Sequence, residues 1–95
     1  MNPKYIAEVQ FMAPLDKAQV HGKLLKVYLF DGDDLYRLHC DDGITDEIVY
    51  LYKKAIKEKD LLKLIGKEII LEGFVSLVTR EKKKSIFCFD IKTKK

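Results

Sequence analysis

The stretch GKEIILEGFVSLVTREKKKSIFCFDI, Gly66 to Ile91, decides the fold: both ends have the pattern of strands, and the middle, Arg80 to Lys84, is almost pure charge. Ile69, Leu71, Gly73, Val75 and Leu77 recur every second residue, the period that turns one face of a strand toward a core. Ile86 to Ile91 form the next strand, so the charged run is the tip that joins them. Just upstream, Lys53 to Ile65 changes character. Ile56, Leu61, Leu62, Leu64 and Ile65 are apolar among lysines and Gly66 stands where a helix ends, which predicts one short helix beginning near Lys57 or Lys59.

Three strands precede that helix. IVYLY, Ile48 to Tyr52, is rich in β-branched and aromatic residues, and LYRLHC, Leu35 to Cys40, lies between the turn clusters Asp31–Asp34 and Asp41–Glu47. Ala18, Val20, Gly22 and Leu24 alternate with Gln19, His21 and Lys23; the alternation then slips at Leu25 and resumes at Val27 and Leu29. Such a slip inside a long strand predicts a β-bulge that bends the strand from one sheet into another. YIAEVQFMA, between Pro3 and Pro14, is expected to be an extended lead-in or short edge strand, and the tail Lys92 to Lys95 to be frayed. The predicted organisation is an N-terminal extension or edge strand (residues 1–17), one domain of order β-β-β-α-β-β (18–91) and a basic tail (92–95).

Ninety-five residues suit a single domain, and 47% hydrophobic with 35% charged residues describe a globular chain rich in surface ions. No apolar run is long enough for a membrane span or a signal-peptide core, so no membrane partner and a cytoplasmic location are expected. Cys40 and Cys88, each in an apolar strand context, are expected to be reduced and buried. The net charge of +3 is unevenly distributed. Seven acids against Arg37 make Asp31 to Glu47 strongly acidic, whereas Lys53 onward carries thirteen basic residues against six acids.

Five strands with a helix between the third and fourth is the layout of the OB-fold, a five-stranded Greek-key barrel. The resemblance extends to motifs. Val20-His21-Gly22-Lys23-Leu24 resembles the family's first-strand pattern, with a glycine at the sharp coil; Asp42-Gly43-Ile44-Thr45 before Ile48 is similar to its Asp-Gly-Thr-Gly turn, departing at Ile44 and Thr45. Gly66-Lys67 followed by Ile69, Leu71, Gly73 and Val75 resembles the fourth-strand signature, with Gly73 in the curvature position. The likeness covers about Ala18 to Ile91 and is nearest to the nucleic-acid-binding branch that includes replication protein A subunits and tRNA synthetase anticodon-binding domains. It implies an all-β barrel whose second and third strands and flanking loops take up an oligonucleotide.

Side-chain alternation then nominates a site. With Val49 and Leu51 inside, Tyr50 and Tyr52 point outward; with Tyr36, Leu38 and Cys40 inside, Arg37 and His39 stand beside them. Phe74 is out of phase with its apolar neighbours and also faces outward, whereas either the Ile86/Cys88 or the Phe87/Phe89 set can be the buried one. Outward rings stack on bases without demanding a sequence, or they pack against the lead-in or a partner. Lys26, Arg37, Arg80, Lys82, Lys83 and Lys84 are the candidate phosphate contacts, the last four as a basic finger beside the groove or as a solvated hairpin tip. The acidic turn Asp31–Asp34 on the other side repels phosphates and suits a basic protein partner instead.

The expected function is single-stranded nucleic-acid binding, DNA slightly ahead of RNA, as in replication or repair. The alternative is a small subunit or interaction module of a larger nucleic-acid-processing complex, supported by the surplus apolar residues Ile70, Phe87 and Phe89. His21, His39, Cys40 and Cys88 lack zinc spacing, the aspartates lack the calcium-loop pattern, and no phosphate-binding glycine loop or nucleophile elbow is present. No metal, cofactor or enzymatic activity is expected.

Overall fold

Strands that alternate apolar and polar residues must turn one face to a common interior, and the computed structural model, which describes residues 3 to 94, closes five of them into a barrel. The elements are β1 (Lys4–Tyr5), a 3-10 turn (Ile6–Phe11), β2 (Lys17–Tyr28), β3 (Leu35–Asp41) and β4 (Asp46–Tyr52), then a second 3-10 turn (Lys53–Ala55), α1 (Glu58–Leu62), β5 (Glu68–Val78) and β6 (Lys83–Thr93). Pairing runs β2-β3-β4-β6-β5 and returns from β5 to β2, with β1 added alongside β2. Within the barrel β4 and β6 are parallel and the other pairs antiparallel. This is the Greek-key barrel of an OB-fold, and the five strands read from the sequence are β2 to β6.

The interior holds Val20, Leu24, Leu38, Leu51, Leu71 and Ile86 among others, all essentially inaccessible. Burying each such side chain contributes about 1.5–3 kcal/mol relative to exposure. The bulge falls where the alternation slips: Leu24 pairs with Cys40 and Lys26 with His39, leaving Leu25 unpaired. The bend lets one strand serve two partners, β5 through Lys17–Lys23 and β3 through Lys23–Tyr28. A second irregularity lies between Glu72 and Gly73, where β5 and β6 approach so closely that a Cβ on Gly73 would overlap the Phe87 carbonyl and the Cys88 Cα. Only glycine fits there.

The helix is where the lysine-rich segment predicts it, with Leu61 plugged into the core. Gly66, at φ 90°, donates its N–H to the Leu24 carbonyl at 2.7 Å while Leu24 donates to the Lys67 carbonyl at 3.0 Å, tying the turn after α1 to the β2 bulge. Leu62 and Ile65, read with the apolar set, are exposed.

Three expectations need correction. The lead-in is extended only at β1; Ile6–Phe11 winds into a 3-10 turn, because the two prolines restrict only their immediate neighbours, and Ile6 and Val9 enter the core. The tail pairs further than expected, Lys92 with Ile70 and Thr93 with Ile69, and Lys94 donates to the Glu68 carbonyl. Residues 1, 2 and 95, included in the expected extension and tail, lie outside the described residues. Finally, β6 begins at Lys83, so the basic finger is only the turn Thr79–Lys82 and Lys83 and Lys84 are paired strand residues.

The turn read as Asp42-Gly43-Ile44-Thr45 also holds the N-terminal segment. Asp42 is buried, and its carboxylate accepts N–H bonds from Ile44 and Thr45 at 2.8 Å and from Ala7 at 2.9 Å. Burial alone would raise its pKa, but the bonds from Thr45, Ala7, Ile44 and Ile6 hold it below the ordinary carboxylate range. Cys40 and Cys88 are free and buried; burial pushes the Cys40 thiol up to about 12 and the Cys88 thiol well above its ordinary value. Among the described residues, no helix is long and apolar enough to cross a membrane.

Candidate nucleic-acid interface

The outward face is organised by register. Tyr28 stands opposite Arg37, Arg37 opposite Tyr50, Tyr50 opposite Phe87 and Phe87 opposite Phe74, so one row of side chains crosses β2, β3, β4, β6 and β5. Val49 and Leu51 are buried and Tyr50 and Tyr52 point away from the core, as the alternation requires. The open choice on β6 resolves in favour of Ile86 and Cys88 inside, leaving Phe87 half-buried and Phe89 exposed. Phe87 lies flat on Tyr50, with ring centroids 4.6 Å apart and an interplanar angle of 6°. Phe74 leans on Phe89 at 5.5 Å.

Two grooves flank the stacked pair. One, of about 300 Å³, lies between the β2–β3 loop and the β5–β6 turn and is lined by Tyr28, Phe30, Arg37, Ile48, Tyr50 and Glu81. The other, of about 400 Å³, is walled by Leu15, Tyr52, Phe74 and Phe87. Tyr52 also borders a recess with Asp34, Lys53 and Lys54, so its ring joins the aromatic surface to the turn before α1.

The basic side chains divide into engaged and free. Arg37 stacks over the Phe30 ring at 4.2 Å and reaches Asp33 at 3.4 Å, while its buried Nε has no partner. His39 Nε2 is 3.3 Å from Asp46. Lys83 binds Glu47 at 3.0 Å; that bond, opposed by partial burial and aided by the charges of Glu47 and Glu81, raises its pKa and keeps it protonated. Lys84 Nζ donates to the Met12 and Gln10 carbonyls at 2.6 and 3.4 Å, and its backbone exchanges two bonds with the Gln10 amide. Lys26 lies over its neighbour Tyr28 at 4.8 Å. Arg80 and Lys82 are exposed at the hairpin turn, Lys82 in a left-handed conformation at φ 54°.

Of the residues nominated from sequence, Arg37, Tyr50, Tyr52 and Phe74 therefore share one face, with Phe87 the member left undecided. Its signal was present, since it alternates with two buried residues. Phe30 carried none, because it follows its strand and is positioned by the loop. Lys53 and Lys54 were hidden in a lysine-rich run that reads as a helix approach.

No protein-family model matches the sequence, and no curated protein is significantly similar to it. Solved structures do share its fold. Asparaginyl-tRNA synthetase from Pyrococcus horikoshii, complexed with asparaginyl-adenylate, superposes with a TM-score of 0.76 and 15% identity over 98% of this chain, which spans 22% of that chain. The S. pombe Stn1-ten1 complex gives a TM-score of 0.75 and 12% identity, covering 99% of this chain and 78% of that one. RecG bound to a three-way DNA junction gives 0.68 and 20% identity, covering 86% and 12% respectively. Identity this low speaks to the fold alone.

Proposed function

We propose that this chain binds single-stranded nucleic acid, DNA slightly ahead of RNA, through its outward aromatic row, acting by binding and without catalysis. The observation that carries the reading is the set of accessible rings on one barrel face: Tyr50 stacked with Phe87, and Tyr52 and Phe74 exposed beside them. Each base stacked on such a ring is worth roughly 1–3 kcal/mol and needs no particular sequence. Arg80 and Lys82 at the hairpin turn, with Lys26, are the side chains that reach phosphates. Arg37, His39, Lys83 and Lys84 shape the face through their internal partners. The fold's likeness to a tRNA synthetase and to a protein bound to a DNA junction supports nucleic acid as the ligand class.

The test is fluorescence anisotropy of labelled oligo-dT and oligo-U titrated with the protein at several salt concentrations. Saturable binding with a log K that falls by about 0.7 per phosphate contact for each decade of salt is expected. No binding at low salt overturns the reading.

A second reading is favoured by a specific feature. Leu15 is held at φ 74°, a conformation costly for leucine, by N–H donation to the Val75 carbonyl at 2.7 Å, yet its side chain is 80% exposed beside Phe74. With Phe74 and Phe89 it forms an apolar surface of the kind a partner subunit covers, and the likeness to the Stn1-ten1 complex is consistent with such a role. Sedimentation separates the two readings: a strictly monomeric, oligonucleotide-binding chain removes support for a self-associating face.

A further inference from the structure

The groove between the β2–β3 loop and the β5–β6 turn has the walls of a slot for a base. Tyr28, Phe30 and Tyr50 line it with rings, and Arg37 adds a planar guanidinium that lies over Phe30 at 4.2 Å. An apolar cavity of about 150 Å³ holds a benzene, so the groove's volume of about 300 Å³ suits a two-ring base. The remaining lining residues are Ile48 and Glu81, which makes Glu81 the single carboxylate in an otherwise aromatic and cationic groove. Its side chain is 45% exposed, and its ion-pair neighbour, the Lys83 ammonium, is 3.9 Å away, beyond hydrogen-bond range, and is bound to Glu47 at 3.0 Å. Among the described residues neither oxygen of Glu81 accepts a hydrogen bond.

A carboxylate in this place repels a phosphate and attracts the N–H donors of a base. The phosphates have cations at the rim instead: Arg80 and Lys82 flank Glu81 in the chain and are exposed, and Lys26 lies over the Tyr28 ring at 4.8 Å. Bases differ in the donors they offer a carboxylate. Guanine alone presents two adjacent ones, N1–H and the N2 amine, which both oxygens can accept as a parallel pair. Adenine and cytosine present a single amine beside a ring-nitrogen acceptor, and thymine one N–H between two carbonyls that repel the carboxylate.

We propose that this groove is a guanine-selective subsite, in which one base of the strand lies against the aromatic wall and donates N1–H and N2–H to Glu81. The inference rests on the nucleic-acid reading above and gives it one position at which the identity of the base matters.

The experiment is the anisotropy titration with oligo-dT carrying one central dG, dA, dC or inosine, on the unmodified protein and on Glu81→Gln. Adenine is the reference, because it matches guanine in stacking area. The dG oligonucleotide is expected to bind roughly five- to tenfold tighter than the dA one, and inosine, which lacks the N2 amine, to lose most of that gain. Glu81→Gln keeps the side chain's size but only one acceptor, and should bring dG to within about twofold of dA. The inosine comparison needs no variant, so a folding defect in Glu81→Gln cannot stand in for loss of the contact. Equal binding of dG and dA by the unmodified protein, or inosine as good as dG, overturns the guanine contact and leaves the stacking platform intact. A dG preference that survives in Glu81→Gln overturns the assignment to Glu81. If the unmodified protein binds none of the oligonucleotides, the functional reading itself falls and takes this one with it.

Discussion

The two ends of β4 offer similar chemistry on paper and different chemistry in space. At the start, Asp46 stands 3.3 Å from the His39 imidazole and Glu47 pairs with Lys83, so the basic groups there already have partners. At the finish, Tyr52 opens onto Lys53 and Lys54, where one ammonium remains free. The lesson is that the density of lysines in a segment says little about its capacity for phosphate. The most basic run, Arg80 to Lys84, loses Lys83 and Lys84 to internal partners, whereas the less conspicuous Lys54 keeps its charge for solvent or a ligand.

The largest expected effect tests whether the rings between those ends act as a platform. Tyr50→Ala combined with Tyr52→Ala should cost roughly 2–4 kcal/mol of oligonucleotide affinity by anisotropy. Unchanged denaturant unfolding would keep the rings outside the core; a large loss of stability would mean they support the barrel and would erase the contrast between inward and outward faces.

At the acidic end the carboxylates are expected to be structural. Asp42→Ala should destabilise the fold by about 2–3 kcal/mol in urea titrations, because the Ala7, Ile44 and Thr45 N–H groups lose their acceptor. An unchanged midpoint would break the comparison by showing that this end is not held by its acids.

The pH dependence sharpens the same point. The Asp42 pKa is depressed in the folded state, so its contribution is present above the unfolded value of about 3.9 and is lost as pH falls through the folded pKa. Urea midpoints measured from pH 6 to pH 2 should be flat in the upper part and fall below about pH 4, with a shallower fall in Asp42→Asn.

The smallest effect is expected at the half-exposed pair. Glu47→Gln should change stability by no more than about 1 kcal/mol. It should also release Lys83, so a modest gain in oligonucleotide affinity in the anisotropy assay is the more informative readout. No gain would place Lys83 off the ligand path altogether.

Legibility varied along the chain for identifiable reasons. Ile69, Leu71, Val75 and the slip at Leu25 were readable because strand alternation and its interruption are properties of adjacent residues, and the barrel placed the bulge between Leu24 and Lys26. The core role of Ile6 and Val9 was not, although their spacing of three is that of a 3-10 turn, because a six-residue turn has too little local preference to stand apart from extended chain until Asp42 and the barrel mouth hold it. The outward rings were partly readable: Tyr50 and Tyr52 follow from Val49 and Leu51, but the stack of Phe87 on Tyr50 depends on a parallel pairing between strands separated by more than thirty residues.

Inside and outside on each strand are thus local matters, set by a backbone that turns successive side chains to opposite faces and by the cost of leaving apolar ones in water. Whether a given charge is free is not local. Lys84 meets Gln10 and Met12 across more than seventy residues, Lys83 meets Glu47 across 36, and Arg37 stacks on Phe30 of the β2–β3 loop. Those partners become neighbours only when the barrel closes, so the tertiary structure alone decided which cations remained available to a ligand.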